Sequence, residues 1–344
     1  MQAYKKRGFW VGLGVFFLVI LSPNPESLSP IGWAVAAVTL LMAIWWATEA
    51  VPVAVTALLP LALFPLLQVT DFKAAALPYA NPNIYLFMGG FILALGIESS
   101  GLHKRLALKM LILVGNSGAK LVGGFMLVSA VISMWVMNTS TTLMLLPIGL
   151  AVCASVAETI PNFSAKQRKN FETSLLLGIA YAASIGGMST LVGTAPNIIF
   201  AAFMLETYGI EISFIDWMKL GVPIASIMLV ASWYTITKFV YPVNFVASME
   251  TKLQLRNMLT DLGPLGRDEK KVLVIFLFAA GAWMFRTLLD NFVPLSGLTD
   301  AGIAILAALS FFFIPSENNK TDLLTWEQAN KLPWGLLVLF GGGL

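Results

Sequence analysis

The sequence predicts an all-α polytopic membrane protein built as an inverted repeat, with a re-entrant hairpin and a broken helix as its special features. Three observations carry this. The 344 residues are 58% hydrophobic and 11% charged with a mean hydropathy of +0.82, far from the roughly 45–50% apolar and 25% charged of soluble domains. Two apolar stretches are interrupted by dense polar knots, which hydrocarbon tolerates only where the backbone is buried in protein or lines a watery cavity. A run ending in Phe and glycines, Asn83 to Leu93 around Phe87-Met-Gly89-Gly90, returns as Pro333 to Leu344 around Phe340-Gly341-Gly342-Gly343. The predicted spans cross in opposite directions at these two places, as inverted repeats do.

The same composition excludes other classes. A net charge of +3 says little about nucleic acid in a chain whose basic residues are explained by membrane orientation. One cysteine, Cys153, gives neither a disulfide framework nor a thiol-metal cluster. The single histidine, His103, is expected on the surface beside Lys104 and Arg105. A membrane enzyme would need a catalytic constellation, and neither a His/Cys cluster nor paired intramembrane carboxylates are present in the sequence.

Taken in order, Lys5-Lys6-Arg7 precedes a first span over Phe9–Leu21, with the N-terminus cytoplasmic and the turn Ser22-Pro23-Asn24-Pro25 in place of a cleavage site. A second span covers Ile31–Ala47 and a third Val51–Leu67. Trp45 and Trp46 in the corner between them suit the headgroup level, and Glu49 is expected to cap the third helix rather than to couple protons. Asn81-Pro82 restarts the chain into Ile84–Ile97, where Gly89, Gly90 and Gly96 permit close helix crossing. An interfacial helix is expected from Ser99 to Lys109.

The first knot follows. Between Ser129 and Pro147, the positions Met137-Asn138-Thr139-Ser140-Thr141-Thr142 offer an amide and four hydroxyls inside apolar surroundings. Two arms, about Ala119–Val136 and Ser140–Ala157, form a re-entrant hairpin. A second arm beginning at Thr139 or Ser140 aims free N–H groups and the positive end of its dipole into the junction, a place suited to an anion. A polar loop from Glu158 to Glu172 leads to a span over Ser174–Phe203 that Ser184-Ile-Gly186-Gly187-Met-Ser189-Thr190-Leu-Val-Gly193-Thr194-Ala195-Pro196-Asn197 breaks at mid-depth. Spans over Met218–Phe239, Val272–Leu289 and Gly297–Ile314 flank an amphipathic connector over Pro242–Asp268. The last apolar run, from Trp334, reaches Leu344. On this threading all but Lys73, Lys219 and Arg286 of the 21 Lys and Arg residues fall on the cytoplasmic side.

Asn138, Thr139 and the break from Gly193 to Asn197 supply neutral oxygens, suited to a weakly held hard cation such as sodium, while helix N-termini suit a carboxylate or another oxyanion. Cation and anion then stabilise each other in one site. A channel would use similar polar breaks, but a hairpin and a broken helix within an inverted repeat favour alternating access.

At both knots the sequence resembles the divalent anion:sodium symporter family, the INDY-type dicarboxylate transporters. Ser133-Met-Trp-Val-Met137-Asn138-Thr139 is similar to the family's Ser-Asn-Thr hairpin tip, and Gly193-Thr194-Ala195-Pro196-Asn197 to its Gly-Thr-Pro-Pro-Asn unwound segment. The stretch Trp46-Ala-Thr48-Glu49-Ala50-Val-Pro52 is also family-like. The resemblance implies an elevator-type transporter, a homodimer in the cell membrane, moving succinate-like C4-dicarboxylates with sodium. Related alternatives are a sodium-independent dicarboxylate exchanger and a citrate or sulfate carrier. By analogy Ser133, Asn138 and the Gly193 carbonyl bind sodium, and Asn138, Thr139 and Thr194 touch substrate. Residues 1–118 would be scaffold, 119–242 half of the moving domain, 243–268 a cytoplasmic connector and 269–344 second-repeat scaffold. Two departures stand out: Met137 replaces the motif's serine, and Ala195 replaces a proline. About ten apolar residues follow Pro333 where about 20 are needed to cross. The second repeat is thus expected to be incomplete, with another hairpin tip roughly 50 residues beyond Leu344.

Overall fold

The computed structural model describes residues 3–113, 117–160, 163–246, 249–289, 297–317 and 321–343. The connector's 247–248, Lys320 and Leu344 lie outside them. Helices and turns account for the described chain, with no β-strand among the described residues. The helices are α1 (Ala3–Leu21), α2 (Pro30–Thr48), α3 (Val53–Thr56), α4 (Leu59–Leu66), α5 (Phe72–Ala76), α6 (Pro82–Ser99), α7 (Leu102–Leu113), α8 (Gly118–Ser133) and α9 (Asn138–Thr159). They continue with α10 (Ala165–Gly187), α11 (Ala195–Tyr208), α12 (Phe214–Tyr234), α13 (Met249–Asp261), α14 (Arg267–Leu289), α15 (Asp300–Ser310), α16 (Trp326–Ala329) and α17 (Trp334–Gly343). A 3-10 turn over Leu77–Ala80 precedes α6, and a π-helical turn over Thr235–Val240 ends α12. Among the described residues, four segments are long and apolar enough to cross a membrane: Pro30–Thr48, Phe72–Ser99, Asn138–Thr159 and Phe214–Val240.

The chain divides into two compact units. The first is Met1–Tyr85 with Glu206–Tyr208 and Leu332–Leu344, and the second Leu86–Leu205 with Gly209–Lys331. In the first unit α1 and α2 form an antiparallel pair. Phe16, Val19, Val38, Leu41 and Met42 are buried in their seam. Trp45 is stacked on Phe9 at 5.1 Å, and its indole N–H donates to the Phe9 carbonyl at 3.2 Å. Trp45 is therefore held in the seam of the helix pair, because its apolar body and its one donor both find partners there. Ser29 caps α2, its hydroxyl accepting from Gly32 N–H.

The corner after α2 corrects two expectations. Glu49 does not cap the third helix. It ends α2 in the left-handed region (φ 44°), its N–H bonded to the carbonyls of Trp45 and Trp46, and its carboxylate pairs with Lys5 at 2.8 Å. Pro52 keeps Val51 out of helical geometry and has no N–H to return to the Thr48 carbonyl, so the α2 ladder cannot run on through this corner. The third span is two short helices, α3 and α4. Pro60 lacks the N–H that would bond back to Thr56, so the ladder breaks between them. In the same unit the glycines of α17 are places of close approach. A methyl added at Gly342 would stand 2.1 Å from the Ala57 carbonyl oxygen, and one at Gly341 would strike the Tyr79 ring.

In the second unit α8, α9 and α10 pack as the core of the fold. The contact of α8 with α10 is at backbone distance, because a methyl at Gly186 would lie 2.2 Å from the Ala130 carbonyl oxygen. Ser129, fully buried, donates to the Ile179 carbonyl at 2.8 Å across the same seam. Gly89 and Gly96 of α6 lie against Ala304 and Phe311 in the way expected of packing glycines. The segment expected as a loop to Glu172 is helical from Ala165, started by a capping box in which Ser164 and Gln167 serve each other's backbone. The connector contains α13, and α15 stops at Ser310.

His103 is a further correction. It is 5% exposed, inside α7, with Nδ1 at 2.9 Å from the Ile97 carbonyl. Burial, more than any neighbour, holds its pKa below the ordinary imidazole value. Its neighbour Arg105 is buried too. The guanidinium binds Glu269 at 2.7 Å and the carbonyls of Gly263, Leu262 and Pro264 at 2.8, 3.1 and 3.1 Å. Glu269 in turn accepts from Gly266 N–H at 2.7 Å. Burial pushes the Glu269 carboxyl up, but the Arg105 and Gly266 hydrogen bonds outweigh it and leave the pKa below the usual carboxylate value.

Candidate anion and cation site at the Gly187 junction

The hairpin forms because α8 ends at Ser133, one turn follows, and α9 begins at Asn138 with no side-chain cap on its first N–H groups. The residue before it, Met137, takes an extended conformation but has no oxygen to offer them. The broken helix behaves alike. α10 ends at Gly187, residues 188–194 form turns, and α11 starts at Ala195 with Thr194 extended and making no side-chain cap. Both helices thus aim positive dipole ends at the break and the hairpin tip, but α9 offers several free N–H groups and α11 only that of Ala195, since Pro196 has none and the Asn197 N–H bonds to the Thr194 carbonyl at 3.2 Å.

Gly187 brings these ends together. A methyl there would stand 2.5 Å from Asn138 Oδ1 and 3.2 Å from the Gly193 carbonyl oxygen, so only glycine allows both oxygens so near. Reciprocally, a methyl at Gly193 would meet the Gly187 carbonyl at 2.4 Å. Ser133, fully buried, donates to Asn138 Oδ1 at 2.7 Å. Ser133, Asn138 and Gly193, foreseen as one set, therefore do meet, around the last residue of α10. Its negative helix end adds to an environment of neutral oxygens that suits a cation.

Thr139 and Thr194 are placed less tightly. Thr139 is exposed on the first turn of α9 and Thr194 half-buried at the start of α11. Neither touches the Ser133–Asn138 pair by any hydrogen bond in the structure, and both remain open to an incoming group. No cluster of three or more His, Cys, Asp or Glu suited to a metal exists among the described residues.

Three residues whose part the sequence did not reveal hold the junction in shape. Asn197, 5% exposed, donates from Nδ2 to the carbonyls of Gly187 at 2.9 Å and Thr190 at 2.7 Å, tying α11 to the end of α10. Thr190 donates to the Met134 carbonyl at 2.5 Å and accepts from Gly193 N–H at 3.1 Å, tying the break to the hairpin. Trp135, at the tip, stacks with Phe214 and Trp283 at 5.8 and 6.3 Å, and meets Phe276 edge-on at 4.9 Å. Asn197 stood inside the Gly-Thr-Ala-Pro-Asn run, so a signal was present. Thr190 stood in the same polar run, but nothing local marked its bond to the Met134 carbonyl, 56 residues away, or the stacking of Trp135 on Phe214.

Comparison with known proteins agrees with this architecture. The family model described as the sodium:sulfate symporter transmembrane region matches residues 7–344. The chain is 38% identical over 345 residues to a protein of Staphylococcus saprophyticus named sodium-dependent dicarboxylate transporter SdcS. It is likewise 38% identical over 343 residues to the protein of that name in Staphylococcus aureus strain USA300. Each match covers 98% of this chain and 66% of the relative, so the chain spans just under two thirds of their length. With the match running through both polar knots, the chain belongs to the sodium:sulfate symporter family, in which the divalent anion:sodium symporter resemblance had placed it.

Proposed function

We propose that the chain carries the first-repeat half of the binding site of a secondary transporter for C4-dicarboxylates such as succinate, driven by sodium. The observation that carries the reading is the junction at Gly187. Asn138 Oδ1, Ser133 Oγ and the Gly193 carbonyl converge where one helix C-terminus and two uncapped helix N-termini meet. Sodium takes the neutral oxygens at the negative helix end. A substrate carboxylate takes the free N–H groups of α9 and the Ala195 N–H and dipole of α11, with Thr139 and Thr194 as hydroxyl donors and Asn138 serving both ions. The two charges neutralise each other in a site without a fixed side-chain charge, and that mutual stabilisation is the coupling. The names of the Staphylococcus relatives support sodium and dicarboxylate.

In this reading the protein is a homodimer in the cell membrane with its N-terminus cytoplasmic. Residues 119–242 move as an elevator against 1–118 and 269–344, with 243–268 as the cytoplasmic connector. Met137 supports a second reading, sodium-independent exchange, because the position contributes a thioether where the family motif has a hydroxyl. The test is uptake of labelled succinate, citrate and sulfate into vesicles holding the full-length protein as encoded, with sodium or potassium outside. Succinate uptake that needs sodium is the expected result. Equal uptake in potassium, with counterflow against internal succinate, would replace symport by exchange.

A further inference from the structure

A cavity lies on the opposite side of α9 from the Gly187 junction. It has a volume of about 410 Å3, within the roughly 300–1,000 Å3 typical of small-ligand pockets. At about 100° per residue, Ser140, Met144 and Pro147 form a stripe of α9 turned roughly half a circle from Asn138, and all three line the cavity. The facing wall is the elbow where α6 passes into α7, turned by Gly101 in the left-handed region (φ 76°). That wall contributes Glu98, His103 and Lys104.

The lining has a definite chemical character. Ile132, Val136, Leu143, Met144 and Pro147 give an apolar floor, while Glu98 and Lys104 are exposed and of opposite charge. Among the described residues neither forms an ion pair within 4.0 Å, with the other or with anything else. Both line the same cavity as the His103 ring. Burial holds the pKa of that ring below the ordinary imidazole value although its bond to the Ile97 carbonyl pulls the other way, and Lys104 and Glu98 are the oppositely charged pair of the lining. Thr141, 1% exposed, adds a wall hydroxyl with no hydrogen-bond partner among the described residues.

These features restrict the occupant. A soluble dianion gains from Lys104 what it loses to Glu98. A purely apolar molecule leaves both charges unanswered. A head group carrying a phosphate and a primary ammonium answers both, and an acyl chain continues over the apolar floor. The positive-inside distribution places this elbow at the cytoplasmic leaflet, where such molecules are abundant.

We infer that this cavity binds a zwitterionic aminophospholipid, with its phosphate at Lys104, its ammonium at Glu98 and an acyl chain between the α6–α7 elbow and α9. The assignment does not rest on the transport reading. It is tested by purifying the full-length protein, exchanging it into bilayers of equal phosphatidylethanolamine and phosphatidylglycerol with matched chains, and measuring retained lipid by native mass spectrometry. The wild type should retain phosphatidylethanolamine in about fivefold excess, the factor worth about one charge contact at a membrane surface. Lys104→Gln should lower that retention about fivefold while Lys104→Arg keeps it. Glu98→Gln, which leaves the mouth net positive, should move the preference toward phosphatidylglycerol. Equal retention of the two lipids by the wild type would overturn the proposal without recourse to any variant. So would uptake of free phosphoethanolamine by a protein that retains neither lipid, since the cavity would then serve a small solute.

Discussion

Two of the places in the second unit where polar groups are taken out of water are handled in opposite ways. At Arg105 four of the five guanidinium N–H donors are bonded. The guanidinium has a carboxylate and three carbonyls, and Glu269 has a further backbone N–H. At Gly187 the groups are neutral and their demand is only partly met, with two helix N-termini uncapped and Thr139 and Thr194 open. A closed network gives rigidity and nothing to bind with, whereas an under-satisfied one has capacity for a ligand. A buried charge must be answered at once, but a buried dipole can wait for a passing ion.

The contrast is most sharply tested by removing one side of the closed network. Arg105→Met leaves Glu269 and three carbonyls without their partner, and should cost about 3–5 kcal/mol of stability, read from thermal unfolding of the purified protein. The pH profile follows from the Glu269 shift. Its folded pKa lies below 4.5, the value of the free side chain. Its contribution is therefore complete above about pH 4.5 and is lost as pH falls through the depressed value. The wild type should lose stability on acidification in that window, and Arg105→Met should lose less. An Arg105→Met protein with wild-type melting would show that the pair is no clamp.

At the open network, smaller structural costs should accompany larger functional ones. Gly187→Ala forces a methyl to 2.5 Å from Asn138 Oδ1. It should cost about 1–3 kcal/mol as overpacking does and stop transport by driving the two oxygens apart. Full uptake by Gly187→Ala would mean that the junction is not the site. Asn138→Ala removes the shared oxygen and leaves the Ser133 hydroxyl with its long contact to Val136 O, at a cost of about 1 kcal/mol. Membrane insertion should persist while uptake disappears. Normal uptake would place the ions elsewhere. The smallest effect is expected from Met137→Ser, which supplies the hydroxyl the family motif has. Sodium for half-maximal uptake should fall, by about two- to fivefold for one modest hydrogen-bond-sized contact. An unchanged sodium dependence in a well-expressed variant would show that position 137 does not face the cation.

Much of the plan was legible without coordinates because its signals are local. Hydrophobic length marks spans, a cluster of hydroxyls marks a hairpin tip, and a Gly-Gly followed by Gly-Thr-x-Pro-Asn marks a broken helix. The observed α8, α9, α10 and α11 lie where those signals put them, and Ser133, Asn138 and Gly193 do converge. The break at Pro60 and the early helix start at Ser164 were local signals left unread, whereas three other misses are matters of partners or packing distant in the chain. Glu49 was assigned to the wrong helix because its ion partner, Lys5, lies 44 residues back. His103 was taken as a surface residue because a Lys/Arg-rich neighbourhood says nothing about which face of α7 is covered. Arg105 was counted as one of many cytoplasmic charges, yet it is buried against Glu269, 164 residues later.

By itself, then, the sequence determined the solvent, the order of the spans and the two interruptions, since each follows from composition or from residues within a turn or two of one another. Tertiary structure alone decided that Gly187 is the point where both interruptions meet. A glycine carries no sign of what approaches it. Only packing of α8 against α10 at backbone distance, with Asn197 and Thr190 tying the break to the tip, brings Asn138 Oδ1 and the Gly193 carbonyl to the same side of one Cα.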